Sequence, residues 1–402
     1  MHTSRYRKPG PASGRRLWPL VSFSLLGIIC LLALAGCGAA NGGTSDDNSI
    51  VVLPTPTPGV SQPVSLQAIH MIDDKNGWAV TPDGHVLHTT QGVAQWKDIT
   101  PTAGAPQPTF STATFLDAQN AWIAGQVNDK ISIWRTYTGG DLWLESPLAI
   151  SGQGVININF IDPLHGWLLL KNGASKPDSE PVAILSTTDG GNNWYQIDNA
   201  SQSSSANLSA LPANNEKTGI SFKSTTQGWV TGYTAEQNTP IFYASTDAGY
   251  TWTVQPLTLP GKSAIRTFPP VFFGQNDGIL PAQLVDNSHA VVIYNTHDGG
   301  KTWKSNPVAS DITTTVSFIN ANQGWAVGSN NNGGNIYNTN DGGKSWHRGT
   351  QLGGDVVTIE SLQFVSAGNG WAIGTTKAGT IQLYQSTDGG KSWAVVKTSA
   401  TS

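Results

Sequence analysis

Ser386-Thr387-Asp388-Gly389-Gly390-Lys391-Ser392-Trp393 decides the fold, because this eight-residue turn recurs along the chain. Residues 339–346 repeat it as Thr-Asn-Asp-Gly-Gly-Lys-Ser-Trp, and residues 296–303 and 187–194 match it closely. Residues 245–252 keep it with Ala248 for the first Gly. Two copies are worn: 136–143 has Thr138 in the Asp place, and 89–96 has Gln91 there. Seven copies make one supersecondary unit repeated in a row. The residue types suit a tight turn. Ser/Thr and Asp side chains bond nearby backbone N–H groups, and paired glycines supply positive φ without a Cβ clash. The closing Trp starts a strand and covers apolar surface.

A second motif precedes each turn and reads apolar-x-Phe, then five residues, then Gly-Trp-Ala-Val. The Phe place is taken by Met71, Phe115, Phe160, Phe222, Phe273, Phe318 and Phe364. The Trp place is taken by Trp78, Trp122, Trp167, Trp229, Ile279, Trp325 and Trp371. Apolar residues two positions apart give the strand period, and no helical period is sustained after residue 36. Each repeat divides into strands A to D: A carries the Phe, B the Gly-Trp, C leads into the Asp turn, and D leaves its Trp. The expectation is an all-β fold, a single seven-bladed β-propeller of four-stranded antiparallel blades over residues 65–399. Asp189, Asp247, Asp298, Asp341 and Asp388, with Trp194, Trp252, Trp303, Trp346 and Trp393, are expected to be structural, since one catalytic site needs no such repetition.

The quoted turns resemble the Asp-box repeats of the bacterial neuraminidase repeat group, which also occur in sortilin-like propellers. Phe318 to Val327, with its Phe and Gly-Trp-Ala-Val, is similar to the photosystem II assembly factor propellers and their non-photosynthetic bacterial relatives. That resemblance implies a protein-binding or assembly role for a membrane complex. It is specific for fold, because Asp-box propellers also include glycosidases and receptor ectodomains.

The first 36 residues read as a lipoprotein signal peptide. Arg5, Arg7, Lys8, Arg15 and Arg16 form a cationic head, an apolar stretch runs over 17–34, and Leu34-Ala35-Gly36-Cys37 ends it. Cys37 is the expected lipid-attachment site, which places the rest outside the cytoplasm, at the outer face of the cytoplasmic membrane or in the cell envelope. Cys30 leaves with the signal, so neither an intramolecular disulfide nor a cysteine zinc site is expected. Residues 37–64 form an anchored linker, stiff at Pro54-Thr55-Pro56-Thr57-Pro58. A rival role for Ile50-Val51-Val52-Leu53 is an extra strand on the last blade. The precursor has formal charge −4; without the five basic signal residues, 17 basic face 26 acidic groups, a net −9. That balance argues against nucleic acid.

Strand order puts the A–B and C–D turns on one face and the more variable B–C and D–A connections on the other. The longest of these join blades 3 and 4 (198–217) and blades 4 and 5 (255–269), with 171–181 inside blade 3. A partner is therefore expected on the loop face of blades 3 to 5. The fifth blade departs most, since Ile279 replaces Trp and Pro281 is expected to end strand B early. Lys262, Arg266 and Phe268 form a candidate binding loop for an anionic or aromatic ligand. The polar run 201–213 reads as flexible padding.

Enzyme signals are thin. A sialidase needs an arginine triad on a carboxylate; the mature chain has only Arg135, Arg266 and Arg348. Its glutamates are Glu145, Glu180, Glu216, Glu236 and Glu360, and a two-carboxylate glycosidase needs a close facing pair. His85 and His88 could share an ion but read as a surface pair. Ser329 to Asn335, though Gly-rich, precedes no helix and is not a phosphate cradle. No catalytic residue, metal or cofactor is expected. The expected role is a monomeric, non-enzymatic protein-binding scaffold. A carbohydrate-binding or glycoside-cleaving, sialidase-like surface protein is the alternative, with a glycan as its ligand.

Overall fold

The computed structural model describes residues 61–101, 108–127, 130–150, 152–173, 180–200, 211–213, 215–234, 240–261, 263–286, 289–329 and 334–401. Cys37, the signal segment, the strand proposed for 50–53, Glu236 and Lys262 lie outside them. The strands form seven antiparallel sheets in the expected order. Blade 1 comprises Ala68–Met71, Gly77–Val80, Val86–Thr89 and Gln95–Asp98. Blade 2 comprises Thr109–Phe115, Ala121–Val127, Lys130–Thr136 and Leu144–Pro147; blade 3, Gly154–Phe160, Gly166–Lys171, Val182–Thr187 and Tyr195–Ala200. Blade 4 runs through Glu216–Phe222, Gly228–Tyr233, Phe242–Ser245 and Thr253–Val254. Blade 6 has Ile312–Phe318, Gly324–Gly328, Asn335–Thr339 and His347–Gln351, and blade 7 Val356–Phe364, Gly370–Thr376, Ile381–Ser386 and Ala394–Val396. In blade 5, strand A is split into Ile265–Thr267 and Val271–Phe273, followed by Asp277–Leu284, Val291–Thr296 and Lys304–Ser305.

Buried apolar side chains gather into seven clusters, each shared by two neighbouring blades, with blades 7 and 1 sharing one of them. The signature residues explain why. The Gly-Trp indole of one blade stacks on the Phe of the next: Trp122 on Phe160 at 3.6 Å and 9°, Trp167 on Phe222 at 3.7 Å and 5°, Trp325 on Phe364 at 3.7 Å and 7°. The same Phe meets its own blade's Asp-box Trp edge-on, as in Phe160–Trp194 and Phe364–Trp393. Stacked and edge-on pairs contribute roughly 0.5–1.5 kcal/mol each beyond area burial. The Gly before each Trp is needed because the Phe ring lies over it: a Cβ on Gly166 or Gly228 would sit 2.5 Å from Phe160 or Phe222. Blade 2 has Ala121 there, and the Trp78–Phe115 separation widens to 5.2 Å.

Blade 5 corrects two expectations. The Phe facing its Gly is Phe272, paired with Gly278 and stacked on Trp229 at 4.7 Å; Phe273, one residue along, is not the signature position. Strand B does not end at Pro281 but runs through it to Leu284. The Pro281 carbonyl accepts a bond from the Phe268 N–H, on the side where Pro269-Pro270 already interrupts strand A. The missing proline N–H therefore leaves the ladder to strand C intact. Among the described residues of the run 201–213, Leu211 is not padding: it is fully buried, and its N–H donates to Asp198.

The ring closes in two ways. Inside, the Gln363 amide of blade 7 donates to the Met71 carbonyl at 2.9 Å and accepts from the Met71 N–H at 2.6 Å. Outside, the C-terminal strand Ser399–Thr401 adds in parallel to the outer strand of blade 1, and Gln62–Pro63 pairs with it in turn. Gln62–Pro63 and Ser399–Thr401 thus extend the sheet slightly beyond the expected 65–399. Deleting residues 399–402 removes this outer clasp. Thermal unfolding should shift down by several degrees, and amide exchange should speed up at Trp96 and Lys97 while the other blades keep their protection.

Candidate functional site: two faces and a polar inner belt

On the turn face the repeated carboxylates are consumed by their own loops. In the sixth copy the Thr339 hydroxyl donates to Asp341 Oδ1 and accepts the Gly343 N–H at 2.9 Å. The Ser345 N–H and hydroxyl then bond the two Asp341 oxygens at 3.0 and 2.6 Å. Asp189, Asp247, Asp298 and Asp388 repeat the arrangement with Asn193, Thr251, Thr302 and Ser392. The Thr302 and Ser392 hydroxyls, followed by backbone N–H bonds, hold Asp298 and Asp388 down to about 2. At Asp341 slight burial opposes, but the Ser345 and Thr339 bonds still bring it to about 2. In every blade the N–H of the first Gly, or of Ala248, bonds a carbonyl of the A–B turn, as Gly389 does to Gly368 at 2.8 Å. Ala248 takes this position at φ 67°, a conformation that favours glycine.

The inner A strands carry a feature that sequence reasoning passed over. The residue just before each signature Phe is His70, Thr114, Asn159, Ser221, Val271, Ser317 or Gln363. Asn159 accepts the Phe222 N–H at 2.9 Å, Ser317 accepts the Phe364 N–H at 2.9 Å, and Ser221 donates to the Pro270 carbonyl at 2.8 Å. His70 bonds the Phe115 backbone in the same sense. The inner strands of blades 1, 2, 4, 5 and 7 therefore have backbone groups satisfied by the preceding blade. The signal was present as a polar residue between two apolar ones in six of seven copies. Burial pushes the His70 imidazole down to about 4, against the opposing pull of its Phe115 bond.

On the loop face the candidate binding residues are already engaged. Arg266 forks onto Glu216, with Nη1–Oε1 at 2.5 Å and Nη2–Oε2 at 3.2 Å, and its guanidinium lies 4.8 Å from the Tyr233 ring centre. Phe268 is buried at 3% exposure, so its ring is core and not a ligand contact. Beside them Lys171 pairs with Glu180 at 2.7 Å. Lys217 is buried with its Nζ on the Pro212 and Asn215 carbonyls, and burial lowers it to about 8 despite the Glu180 charge. The described residues at the mouth of blades 3 to 5 thus form a charged cluster.

The other candidates are dispersed. Arg135 is buried and ties blade 2 to the third Asp box through the Gly191 carbonyl and Asn192, whereas Arg348 bonds Asn335. The three arginines stand on blades 2, 5 and 6 and do not converge. His85 pairs with Asp98 at 2.6 Å. His88 is buried against Trp78, so the two are not a surface pair. Among the described residues no group of three His, Cys, Asp or Glu side chains is placed to hold a metal ion.

A closed seven-bladed ring of four-stranded antiparallel sheets, joined by the Phe/Gly-Trp stack, defines the class as a β-propeller. The chain belongs to the family described as photosynthesis system II assembly factor YCF48, whose model matches residues 141–314 and 307–401. Among solved structures it is similar to YCF48 bound to D1 peptide, at 17% identity over 83% of this chain and 98% of that one, with TM-score 0.55. YCF48 from Cyanidioschyzon merolae gives 17% identity over 83% and 97% of the two chains, with TM-score 0.50. A prolyl endopeptidase structure gives 10% identity and TM-score 0.59 over 84% of this chain and 50% of its own. At these identities the likeness is one of fold. No curated protein matches the sequence.

Buried imidazoles, His70 and His88, and hydrogen-bonded turn carboxylates set the acid limit of the fold. His70 is held neutral, so its contribution is complete above pH 6.5 and is lost as pH falls from 6.5 towards 4. The Asp boxes contribute above about 3.8 and lose that contribution as pH falls towards 2. Urea unfolding between pH 7 and 3 should show stability falling in both windows. Replacing His70 with Gln should reduce the first drop by about 1–3 kcal/mol, leaving the share that buried His88 contributes and the whole of the second.

Proposed function

We propose that this protein is a non-enzymatic scaffold that holds a polypeptide partner during assembly of a membrane complex. The observation that carries this reading is family membership combined with a propeller whose repeated carboxylates are all committed to their own turns. A relative bound to a D1 peptide supports a polypeptide as the ligand class. The partner meets the loop face of blades 3 to 5, where Arg266, Glu216 and Tyr233 stand at the mouth of the ring. An Arg–carboxylate fork of this kind can exchange its internal carboxylate for one on a partner. The protein works outside the cytoplasm, tethered through lipid on Cys37 with 38–61 as spacer. The cationic head, apolar stretch and Leu-Ala-Gly-Cys box support that placement.

Photo-cross-linking tests the reading. A benzophenone side chain placed at Tyr233 in cells should capture one polypeptide of a membrane complex, and Arg266→Ala should reduce its yield several-fold. Cys37→Ser should move the protein to the soluble fraction. Turnover of fluorogenic glycosides by the purified chain, with no captured polypeptide, would contradict the proposal.

A further inference from the structure

The turn face is chemically lopsided. In blades 5 to 7 the residue after Gly-Gly is Lys301, Lys344 or Lys391, and blade 4 has Tyr250 there. After the Asp-box Trp, blades 5 and 6 carry Lys304 and His347, whereas blades 2 and 3 carry Leu144 and Tyr195. Where Thr302, Ser345 or Ser392 bonds its Asp carboxylate, blade 2 has Leu142, beside Thr138 in the Asp place. Leu142, Tyr195 and Tyr250 are 58%, 63% and 62% exposed, and Tyr137, Leu144 and Leu164 are exposed alongside them. One exposed Leu is ordinary, but six large apolar side chains along three consecutive blades are not.

The arc is continuous. The Tyr137 hydroxyl donates to the Gly190 carbonyl, and the Gly190 N–H donates to the Leu164 carbonyl, so blades 2 and 3 meet at one glycine. The Trp167 indole of blade 3 bonds the Ala248 carbonyl, two residues from Tyr250. The same turns carry Asp141, Glu145, Asp162, Asp189 and Asp247. Hydrogen bonds within their turns keep Asp162, Asp189 and Asp247 ionised, outweighing slight burial. The nearby cations are spent: Lys97 pairs with Asp141 at 2.6 Å, and the Lys223 Nζ sits on the Gln275 and Gly299 carbonyls at 3.0 and 2.7 Å.

We propose that this arc is a second docking surface, separate from the loop face, whose occupant is a polypeptide segment that alternates basic and apolar residues. The apolar side chains supply burial, Glu145, Asp189 and Asp247, the carboxylates of the arc outside the Lys97–Asp141 and His165–Asp162 pairs, select lysine or arginine, and the Tyr195 and Tyr250 rings offer faces for cations. An anionic lipid surface fits poorly, because the arc has carboxylates where such a surface would need cations.

The ring itself supplies substitutions compatible with folding: Leu142→Ser, Tyr195→Lys and Tyr250→Lys install residues that other blades carry at the same places. Fluorescence anisotropy with the purified chain would use a labelled peptide alternating lysine with leucine and tryptophan, its glutamate counterpart, and vesicles containing anionic lipid. The lysine peptide should bind, more weakly as salt rises, and the other two should not. The triple variant should unfold at an unchanged temperature and bind the peptide roughly tenfold more weakly. Should that variant lose cooperative unfolding, Tyr250→Lys alone should still weaken binding about threefold. Ala394→Lys with Val395→Lys on blade 7 adds the same charge elsewhere and should leave affinity unchanged. Equal weakening there would reduce the effect to net charge and overturn the proposal. Unchanged binding by the arc variants, or equal binding of the glutamate peptide or the vesicles, would overturn it as well.

Discussion

The stacking of one blade's Gly-Trp indole on the next blade's Phe is the contact on which this ring depends. It explains three features of the repeat together. The Phe must be planar to present a face, the Gly must lack a Cβ to let the ring lie over it, and the Asp-box Trp must follow the turn to meet the ring's edge. Trp122, Phe160 and Trp194 show the full set. Where a member changes, the geometry changes with it. Ala121 accompanies a wider Trp78–Phe115 separation. Ile279 leaves Phe318 with only its edge-on Trp346.

Aromatic stacking supplies attraction but leaves backbone polar groups on the inner strands to be satisfied. The belt of His70, Asn159, Ser221, Ser317 and Gln363 does this between neighbouring A strands. The Asp boxes meet the corresponding need at the other end of each blade, joining C–D turns to A–B turns. Cohesion is therefore distributed around the circle, and the outer clasp at residues 399–401 covers the free edge of the first blade. A scaffold stabilised in this way leaves its loops, and the exposed sides of individual turns, open to variation for binding.

Much of this was legible in the sequence because the determinants are local and repeated. Seven copies of one spacing reveal the blade count and the strand order. What escaped depends on pairing across distance. Phe272 and Phe273 are both apolar neighbours, and the five-residue spacing to Gly278 together with the register against it selects Phe272. Pro281 looks like a strand end until the break at Pro269-Pro270 on the facing strand is seen. The clasp joins residues more than 300 apart in sequence, with no pattern of its own. At the candidate site, Arg266 reads from sequence as a binding-loop cation, whereas its Glu216 partner lies across a blade boundary and has no sequence pattern to reveal it. Phe268 looked like a loop aromatic but is buried at 3% exposure.

The most direct measurement of the stacking account is a double-mutant cycle on Trp325 and Phe364, whose rings lie 3.7 Å apart at 7°. Urea unfolding of Trp325→Leu, Phe364→Leu and the double variant isolates the pairwise energy. The account predicts a coupling of about 0.5–1.5 kcal/mol, with each single change lowering the stability of the whole ring in one cooperative transition. Additive losses within about 0.3–0.5 kcal/mol, or a separate transition for blade 7 alone, would contradict it.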